Sequence, residues 1–412
     1  MVMPFISTRF LETPPVPTPS RVRLDESLMV FGTASGGNSS LLELNTPYLF
    51  RTAPTRDNML GGQAATDARD NNDWSGIYHE AQTRTITSTL DSVVRRIFAL
   101  DDIDVIVVNV GTTGGAPPTP TQWTAAIAGA RRVETLLNRR PGAIIFPGFE
   151  NTRAASTPWA VNPAGVSTAV PHMTQLNELA DYFDATLVSG GASSLTRAQA
   201  DTWAETNRTD EGPAVWPAVG ATPTSAQSLA IFYVLSMLEI EQAGGGRGTP
   251  LNFMPAKGVT QLQPAISSSW TNTTNDTLLL NNNGVTSILV NDGSYLFAGA
   301  STNVALTNNY PNPATQVVSN LRLRREIRQI VINACIRYAR GFVGDEFFDR
   351  VIGSIDGDLA AIAATGRIRN AIVRRGTPPV VNGVRSQFDV RVNMRTPNLG
   401  FDTQISTPIV PF

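Results

Sequence analysis

The stretch DVIVVNV, residues 104–110, decides the fold prediction for the central part of this chain. It is short, rich in β-branched residues and almost wholly apolar, which is typical of a strand covered on both faces in a parallel sheet. Upstream, Leu90, Val93, Val94 and Ile97 recur at helical spacing and predict an amphipathic helix. A helix that leads into a fully buried strand is a unit of an α/β layer.

The same alternation continues downstream and predicts βαβ crossovers in an α/β domain. Helices are predicted at residues 121–140, 172–183, 196–207 and 224–242, with strands at 143–146, 185–188 and 214–219.

The glycine-rich segment GGGRGTP, residues 244–250, interrupts this alternation and predicts a domain boundary. An α+β unit is expected beyond it. That unit contains a helix at residues 276–282, a strand pair at 285–290 and 295–298, a helix at 319–342, and strands after Gly366. The predicted fold class is therefore α/β and α+β.

Both ends of the chain read as extended arms. TPPVPTP, residues 13–19, predicts a stiff spacer, because its prolines lack amide donors and favour polyproline II geometry. Upstream of it, Met3, Phe5 and Ile6 lie in a stretch too short for a core of its own, which leaves solvent or a neighbouring molecule to cover them.

Near the C-terminus, Phe388, Val390 and Val392 alternate as one face of a predicted strand. The tail that follows has no room to fold back on itself. Its apolar residues are Phe401, Ile405, Ile409 and Val410. The predicted divisions are an N-terminal arm at 1–20, domains at 21–245 and 246–396, and a C-terminal arm at 397–412. The first strands of 21–245 are left open to either of the two domains.

The late helix at residues 319–342 is predicted to pack through one apolar face and to carry arginines on the other. The basic face is either a solvated surface or a docking surface for an acidic partner. The arginines concerned are Arg322, Arg325, Arg337 and Arg340.

Composition narrows the function classes. Charged residues make up 16% of the 412 residues and the net charge is -2, so nothing indicates binding to nucleic acid or to an anionic membrane. Cys335 is the single cysteine and cannot form an intrachain disulfide, which fits a reducing cytoplasm. The first residues lack the features of a secretion signal, so assembly inside the producing cell is expected.

Catalytic patterns are weak. His79 and His172 lack the spacing of metal ligands, and Cys335 reads as a packing residue. Asp356 and Asp358 are predicted to cap a helix at 359–364 rather than to bind calcium. Neither a metal nor a cofactor is expected.

One alternative stays open. The loop GTTGG, which starts at Gly111 and ends at Gly115, follows the first buried strand, and glycine-rich turns in that position often hold phosphates. It is neither a G-x-G-x-x-G nor a Walker sequence. A soluble nucleotide-binding protein or enzyme is thus the alternative to a structural, non-enzymatic protein.

Several segments, in this order, resemble the tail sheath proteins of contractile phages and related contractile injection systems. They are VFGTASGG (30–37), SVVRRIFALDDIDVIVVNVG (92–111), RRPGAIIFPGF (139–149), LLLNNNGVTSILVNDGSYLFAGAST (278–302) and LRLRREIRQIVINACIRY (321–338).

The resemblance implies an inner domain that touches a tube, an outer α/β domain, and terminal arms that complete a β-sheet in neighbouring subunits. Phe388, Val390 and Val392 would then form the acceptor strand, and the arginines of the late helix would face the tube. The implied partners are further copies in a helical sheath, the tail tube protein, and baseplate and tail terminator proteins. The implied location is a virion tail assembled in the host bacterial cytoplasm. Another arm-exchanging virion component remains an alternative.

Overall fold

Two compact units make up the computed structural model. The larger comprises Asp25–Gln242 and Leu251–Pro311, and the smaller comprises Met1–Leu24, Ala243–Pro250 and Asn312–Phe412. The structure describes residues 27–34, 42–50, 89–101, 103–112, 118–150, 170–209, 211–222, 226–243, 246–268, 275–299, 302, 317–338, 345–375, 388–395 and 402–409.

Ten strands and seven helices are described in the larger unit. The strands are β1 (Leu28–Ala34), β2 (Pro47–Phe50), β3 (Val105–Thr112), β4 (Ala143–Ile145), β5 (Thr186–Gly190), β6 (Ala214–Val215), β7 (Ala218–Val219), β8 (Leu262–Gln263), β9 (Val285–Asn291) and β10 (Ser294–Ala298). The helices are α1 (Thr89–Leu100), α2 (Pro120–Ala130), α3 (Val133–Leu137), α4 (Met173–Phe183), α5 (Arg197–Thr206), α6 (Leu229–Ala243) and α7 (Asp276–Asn282).

Eight of these strands form one sheet in the order β10-β9-β6-β5-β4-β1-β3-β2. The six central strands are parallel, whereas β2 and β10 are antiparallel to their neighbours. β7 and β8 form a separate antiparallel pair. The predicted α/β layer with βαβ crossovers is thus confirmed.

Helices cover both faces of the sheet. Val105 and Val107 point into a core shared with α1 and α6, and Ile106 and Val108 point into a second core shared with α2 and α4. Successive residues of a strand face opposite sides, so a strand covered twice has to be apolar throughout. This is why DVIVVNV has no polar alternation.

Two predicted elements of the larger unit are divided in the structure. The single helix expected at 121–140 is α2 followed by α3, and the turn between them lies at Arg131 and Arg132. The strand expected at 214–219 is β6 and β7, because Pro217 has no amide donor for a ladder between them.

The strand pair at residues 285–298 corrects the predicted domain boundary. β9 and β10 form the expected hairpin, but β9 pairs with β6, so the hairpin extends the large sheet. The chain enters the smaller unit at Ala243–Pro250 and returns at Leu251. A glycine-rich segment marks a change of unit, but a single change cannot be distinguished from an excursion and return by composition.

The smaller unit contains two long helices and a three-stranded sheet. They are α8 (Val318–Tyr338), α9 (Asp345–Ala364), β11 (Ile368–Arg375), β12 (Phe388–Arg395) and β13 (Asp402–Ile409). Asp356 and Asp358 lie inside α9, so the prediction that they cap a shorter helix is wrong. Cys335 is half-buried and packs against the α8–α9 core, as predicted.

None of the described helices is long and apolar enough to span a membrane.

Candidate assembly site

The antiparallel sheet β11–β12–β13 brings together several predicted site residues. Val392 lies opposite Ala371 of β11 and Ile405 of β13. Phe388 lies opposite Ile409, and Val390 lies opposite Thr407. β12, predicted as the acceptor strand, is thus the central strand of a sheet whose third strand is the C-terminal tail.

The tail does not fold on itself. It lies along β12 of the same chain, where its backbone satisfies donors and acceptors that an open strand edge would leave unpaired. Pairing between different subunits stays a prediction. Five predicted arm residues lie outside the described residues: Met3, Phe5, Ile6, Phe401 and Val410.

The predicted apolar face of α8 is confirmed. Its members pack on Val351, Ile355 and Leu359 of α9. The buried residues of that face are Leu323, Ile327, Ile330, Val331 and Ala334, and Tyr338 is half-buried beside them.

The predicted basic face of α8 needs correction. The side chains of Arg322 and Arg325 are buried, with only 2% and 4% of their surface exposed. The N-terminal half of α8 is enclosed on several sides, and Gly248 lies against the Ser319 carbonyl and Leu323. Arginine is a residue that helical periodicity assigns to solvent, although its long apolar stem permits burial when the head finds partners.

The C-terminal half of α8 presents a mixed surface. Arg328, Asn333 and Arg337 are exposed, and Ile336 is 65% exposed. The only acidic residue in this helix, Glu326, is buried. We call Arg328, Asn333, Ile336 and Arg337 the α8 stripe. Arg340 lies outside the described residues.

At the carboxyl edge of the parallel sheet, where α/β enzymes bind ligands, the described residues include a group of packed aromatic side chains. His172 stacks on Trp123 with ring centroids 3.8 Å apart, and Phe146 contacts the imidazole edge to face. Burial lowers the pKa of His172 to about 3, although a backbone hydrogen bond to Phe149 acts in the opposite direction. His172 is therefore a neutral packing residue at neutral pH.

Glu150 is buried at the same edge. One carboxylate oxygen accepts from the Gly148 amide at 2.8 Å, and the other accepts from the Ser228 hydroxyl at 2.8 Å and the Gly190 amide at 3.2 Å. Burial raises the pKa of Glu150 to about 7, and these hydrogen bonds oppose the rise. The carboxyl group joins the ends of β4 and β5 to the start of α6.

The proposed phosphate loop lies largely outside the described residues, which end at Thr112 and resume at Pro118. Gly111 is the penultimate residue of β3, and a Cβ added there would lie 3.5 Å from Cγ of Pro118. In the described part of the chain, no group of three or more metal-binding side chains occurs. His79 is not among the described residues.

Three notable residues escaped prediction from sequence. Glu150 follows a proline-glycine turn and carries no pattern that predicts burial. Arg367 and Arg247 meet only in the folded chain, since they are far apart in sequence. The Gly-Arg-Gly pattern around Arg247 is the one local signal, because glycines on both sides of an arginine permit a close backbone approach.

The fold defined by this sheet, its helices and the α8–β13 unit is that of contractile sheath proteins. No protein-family model and no curated protein matches the chain. The structural likeness nevertheless extends over almost the whole of each chain.

Three solved structures illustrate it. The sheath of an extracellular contractile injection system, PVC, in its contracted state has a TM-score of 0.61 and 13% identity, with 98% of both chains covered. The contracted helical sheath of the anti-feeding prophage has a TM-score of 0.58 and 11% identity, with 91% of both chains covered. A sheath tail protein of Desulfitobacterium hafniense has a TM-score of 0.57 and 6% identity, with both chains covered completely.

Proposed function

We propose that this chain is the structural sheath subunit of a contractile tail or contractile injection system. It polymerises around an inner tube and drives the tube forward by contracting. The observation that carries the proposal is the end-to-end likeness to sheath chains, which includes the smaller unit as well as the common α/β layer. A non-enzymatic role is supported by the same likeness to sheath proteins.

The β11–β12–β13 sheet is the proposed assembly site. In a polymer, β13 of one subunit would lie on β12 of another, and the N-terminal arm would add at a further edge. Such β-augmentation takes its affinity from main-chain hydrogen bonds and its register from alternate side chains. Between subunits we expect the pairing that places Val392 of β12 opposite Ile405 of β13, because these strands adopt that pairing within the chain.

Arm exchange is expected to be close to neutral in free energy. For an arm that is not already paired in the free subunit, ordering about six residues costs roughly 6 to 12 kcal/mol. About five net backbone hydrogen bonds at about 1 kcal/mol each and three buried anchors at about 2 kcal/mol each return roughly 11 kcal/mol. Free subunits therefore stay soluble, and polymerisation needs several contacts that act together.

The tube contact is assigned to the α8 stripe. Of the predicted arginines, Arg337 is exposed, and Arg340 lies outside the described residues and stays a prediction. Arg328 and Ile336 are added because they are exposed. An acidic tube surface with an apolar centre would complement two cations around one isoleucine. The baseplate and the tail terminator would cap the ends of the polymer, which would be assembled in the cytoplasm of the producing bacterium.

Deletion of residues 400–412 tests the assembly site. The truncated chain should keep the larger unit folded and remain monomeric under conditions in which the full chain forms polymer. Deletion of residues 1–7 should have the same effect. Polymer formation by either truncated chain at the full-length yield would overturn the arm model. A specific thermal shift with a nucleotide would instead favour the enzyme alternative.

A further inference from the structure

The guanidinium group of Arg367 joins three parts of the smaller unit that are distant in sequence. It forms a buried ion pair with Glu326 of α8, and both side chains are less than a tenth exposed. Its Nη1 donates to the Arg247 carbonyl at 2.7 Å, and its Nε donates to the Thr365 hydroxyl at 2.9 Å. Arg367 immediately precedes β11, the first strand of the proposed assembly sheet.

The glycine-rich segment is shaped to fit this group. A Cβ atom added to Gly246 would lie 2.6 to 2.8 Å from Nη1, Nη2 and Cζ of Arg367, so the guanidinium would have to move. The φ of Gly246 is +146°, a value that other residues rarely adopt. Only glycine both lacks a Cβ atom and adopts this φ readily.

The next residues of the segment are held against α8. Gly248 has a φ of +87°, and a Cβ there would lie 2.7 Å from the Ser319 carbonyl oxygen. The Thr249 hydroxyl donates to the Gly246 carbonyl at 3.0 Å. Residues 246–249 therefore form a fixed path and not a flexible linker, despite their composition.

A buried ion pair adds little net stability compared with apolar packing. It can nevertheless select one arrangement, because removal of one partner leaves the other charge buried and unpaired. Arginine suits this role because its planar fork donates in several fixed directions, whereas a lysine ammonium on its flexible stem cannot. The arrangement selected here fixes the positions of residues 243–250, α8 and the start of β11 relative to one another.

We infer that Arg367 is a positioning residue for assembly: it locks residues 246–249 onto α8 and thereby fixes where the β11–β12–β13 sheet begins. The inference rests on the proposed function. Its consequence is that a displacement of residues 246–249 also displaces the first residues of β11.

The test compares full-length Arg367→Met and Arg367→Lys with the wild type. Amide hydrogen exchange of residues 246–249 should accelerate at least tenfold in both variants, while the amides of α9 and of the larger unit keep their protection. The sedimentable polymer formed by the full chain should fall at least tenfold. The lysine variant should not recover polymer formation, because lysine restores the positive charge but not the planar guanidinium that donates in several fixed directions.

A glycine pair supplies the matched control. Gly246→Ala should reproduce the loss of polymer, whereas Gly353→Ala in α9, where an added Cβ meets nothing within 4 Å, should assemble as the wild type does. Unchanged exchange at 246–249 in Arg367→Met, wild-type assembly of that variant, full rescue by lysine, or loss of protection throughout α8 and α9 would overturn the inference. A wild type that never polymerises would contradict the proposed function instead, and the exchange data on monomers would still decide the role of Arg367.

Discussion

The imidazole of His172 lies flat on the indole of Trp123, with ring planes 8° from parallel and centroids 3.8 Å apart. The imidazole is buried and its pKa is lowered to about 3. Between pH 3 and about 6.5 the unfolded chain therefore holds a proton at this site that the folded chain does not. This difference reduces the free energy of unfolding as the pH falls below about 6.5.

His172→Phe should weaken the acid sensitivity of the fold. Phenylalanine can keep the stack on Trp123 but cannot take up a proton in the unfolded state. Below pH 6, the free energy of unfolding of the variant should rise relative to that of the wild type by up to about 1.4 kcal/mol for each pH unit of acidification. Urea unfolding at pH 7, 6 and 5 measures the difference, and parallel pH profiles for the two proteins would contradict the assignment.

Glu150 should contribute a pH dependence of opposite sign. Its pKa is raised to about 7, so between about pH 4.5 and 7 the folded chain holds a proton that the unfolded chain has lost. Its contribution to stability is full below pH 4.5 and declines as the pH rises through 7.

Glu150→Gln should therefore lower the free energy of unfolding most at low pH. A glutamine can accept at one oxygen from Ser228 and Gly190, but its amide nitrogen would then face the Gly148 N–H donor. We expect a loss of about 1 to 3 kcal/mol at pH 5 that shrinks by pH 8.5. Urea unfolding at both pH values measures it, and a loss that grows with pH would contradict the protonated state.

Gly212→Ala should disrupt the larger unit. An added Cβ would lie 1.8 Å from the Leu187 carbonyl oxygen, which belongs to the backbone of β5 and has no rotamer with which to move aside. The expected loss exceeds about 2 kcal/mol, in the range of overpacking mutations. Gly353→Ala, with open space at the Cβ position, should be neutral or slightly stabilising. Equal thermal midpoints for both variants would contradict the packing at Gly212.

Charge reversal on the α8 stripe should weaken assembly with the tube. Arg337→Glu should lower the amount of tube-bound polymer and its sensitivity to salt, because it replaces an exposed cation in the proposed contact. Arg208→Glu, on an exposed surface of the larger unit, is the control. If Arg337→Glu leaves binding and its salt dependence as they are in the control, the tube-facing assignment of this stripe is incorrect.

The sequence predicted the layered part of the fold well, because its signals are local. DVIVVNV has the composition of a strand covered on both faces, and Asn291-Asp292-Gly293 is a favourable hairpin turn between β9 and β10. The neighbours of that hairpin could not be predicted, since pairing of β9 with β6 depends on chain segments about 70 residues apart.

The candidate site was less accessible from sequence. Periodicity placed Arg322 and Arg325 on the face of α8 away from its apolar residues, but both are buried, and the burial of a helix face depends on tertiary packing that a local pattern does not encode. The pairing of the C-terminal tail with β12 was expected, and its occurrence within one chain was not. The contact between Arg367 and the glycine-rich segment joins residues 120 positions apart, so no local pattern could predict it.

Electron cryomicroscopy of the purified full-length chain, alone and together with its tube protein, would show whether the chain forms a sheath. We expect hollow, striated cylinders with helical symmetry, in which the β11–β12–β13 sheet is completed by strands of neighbouring subunits. Featureless monomers under all conditions, or particles without helical order, would contradict this expectation.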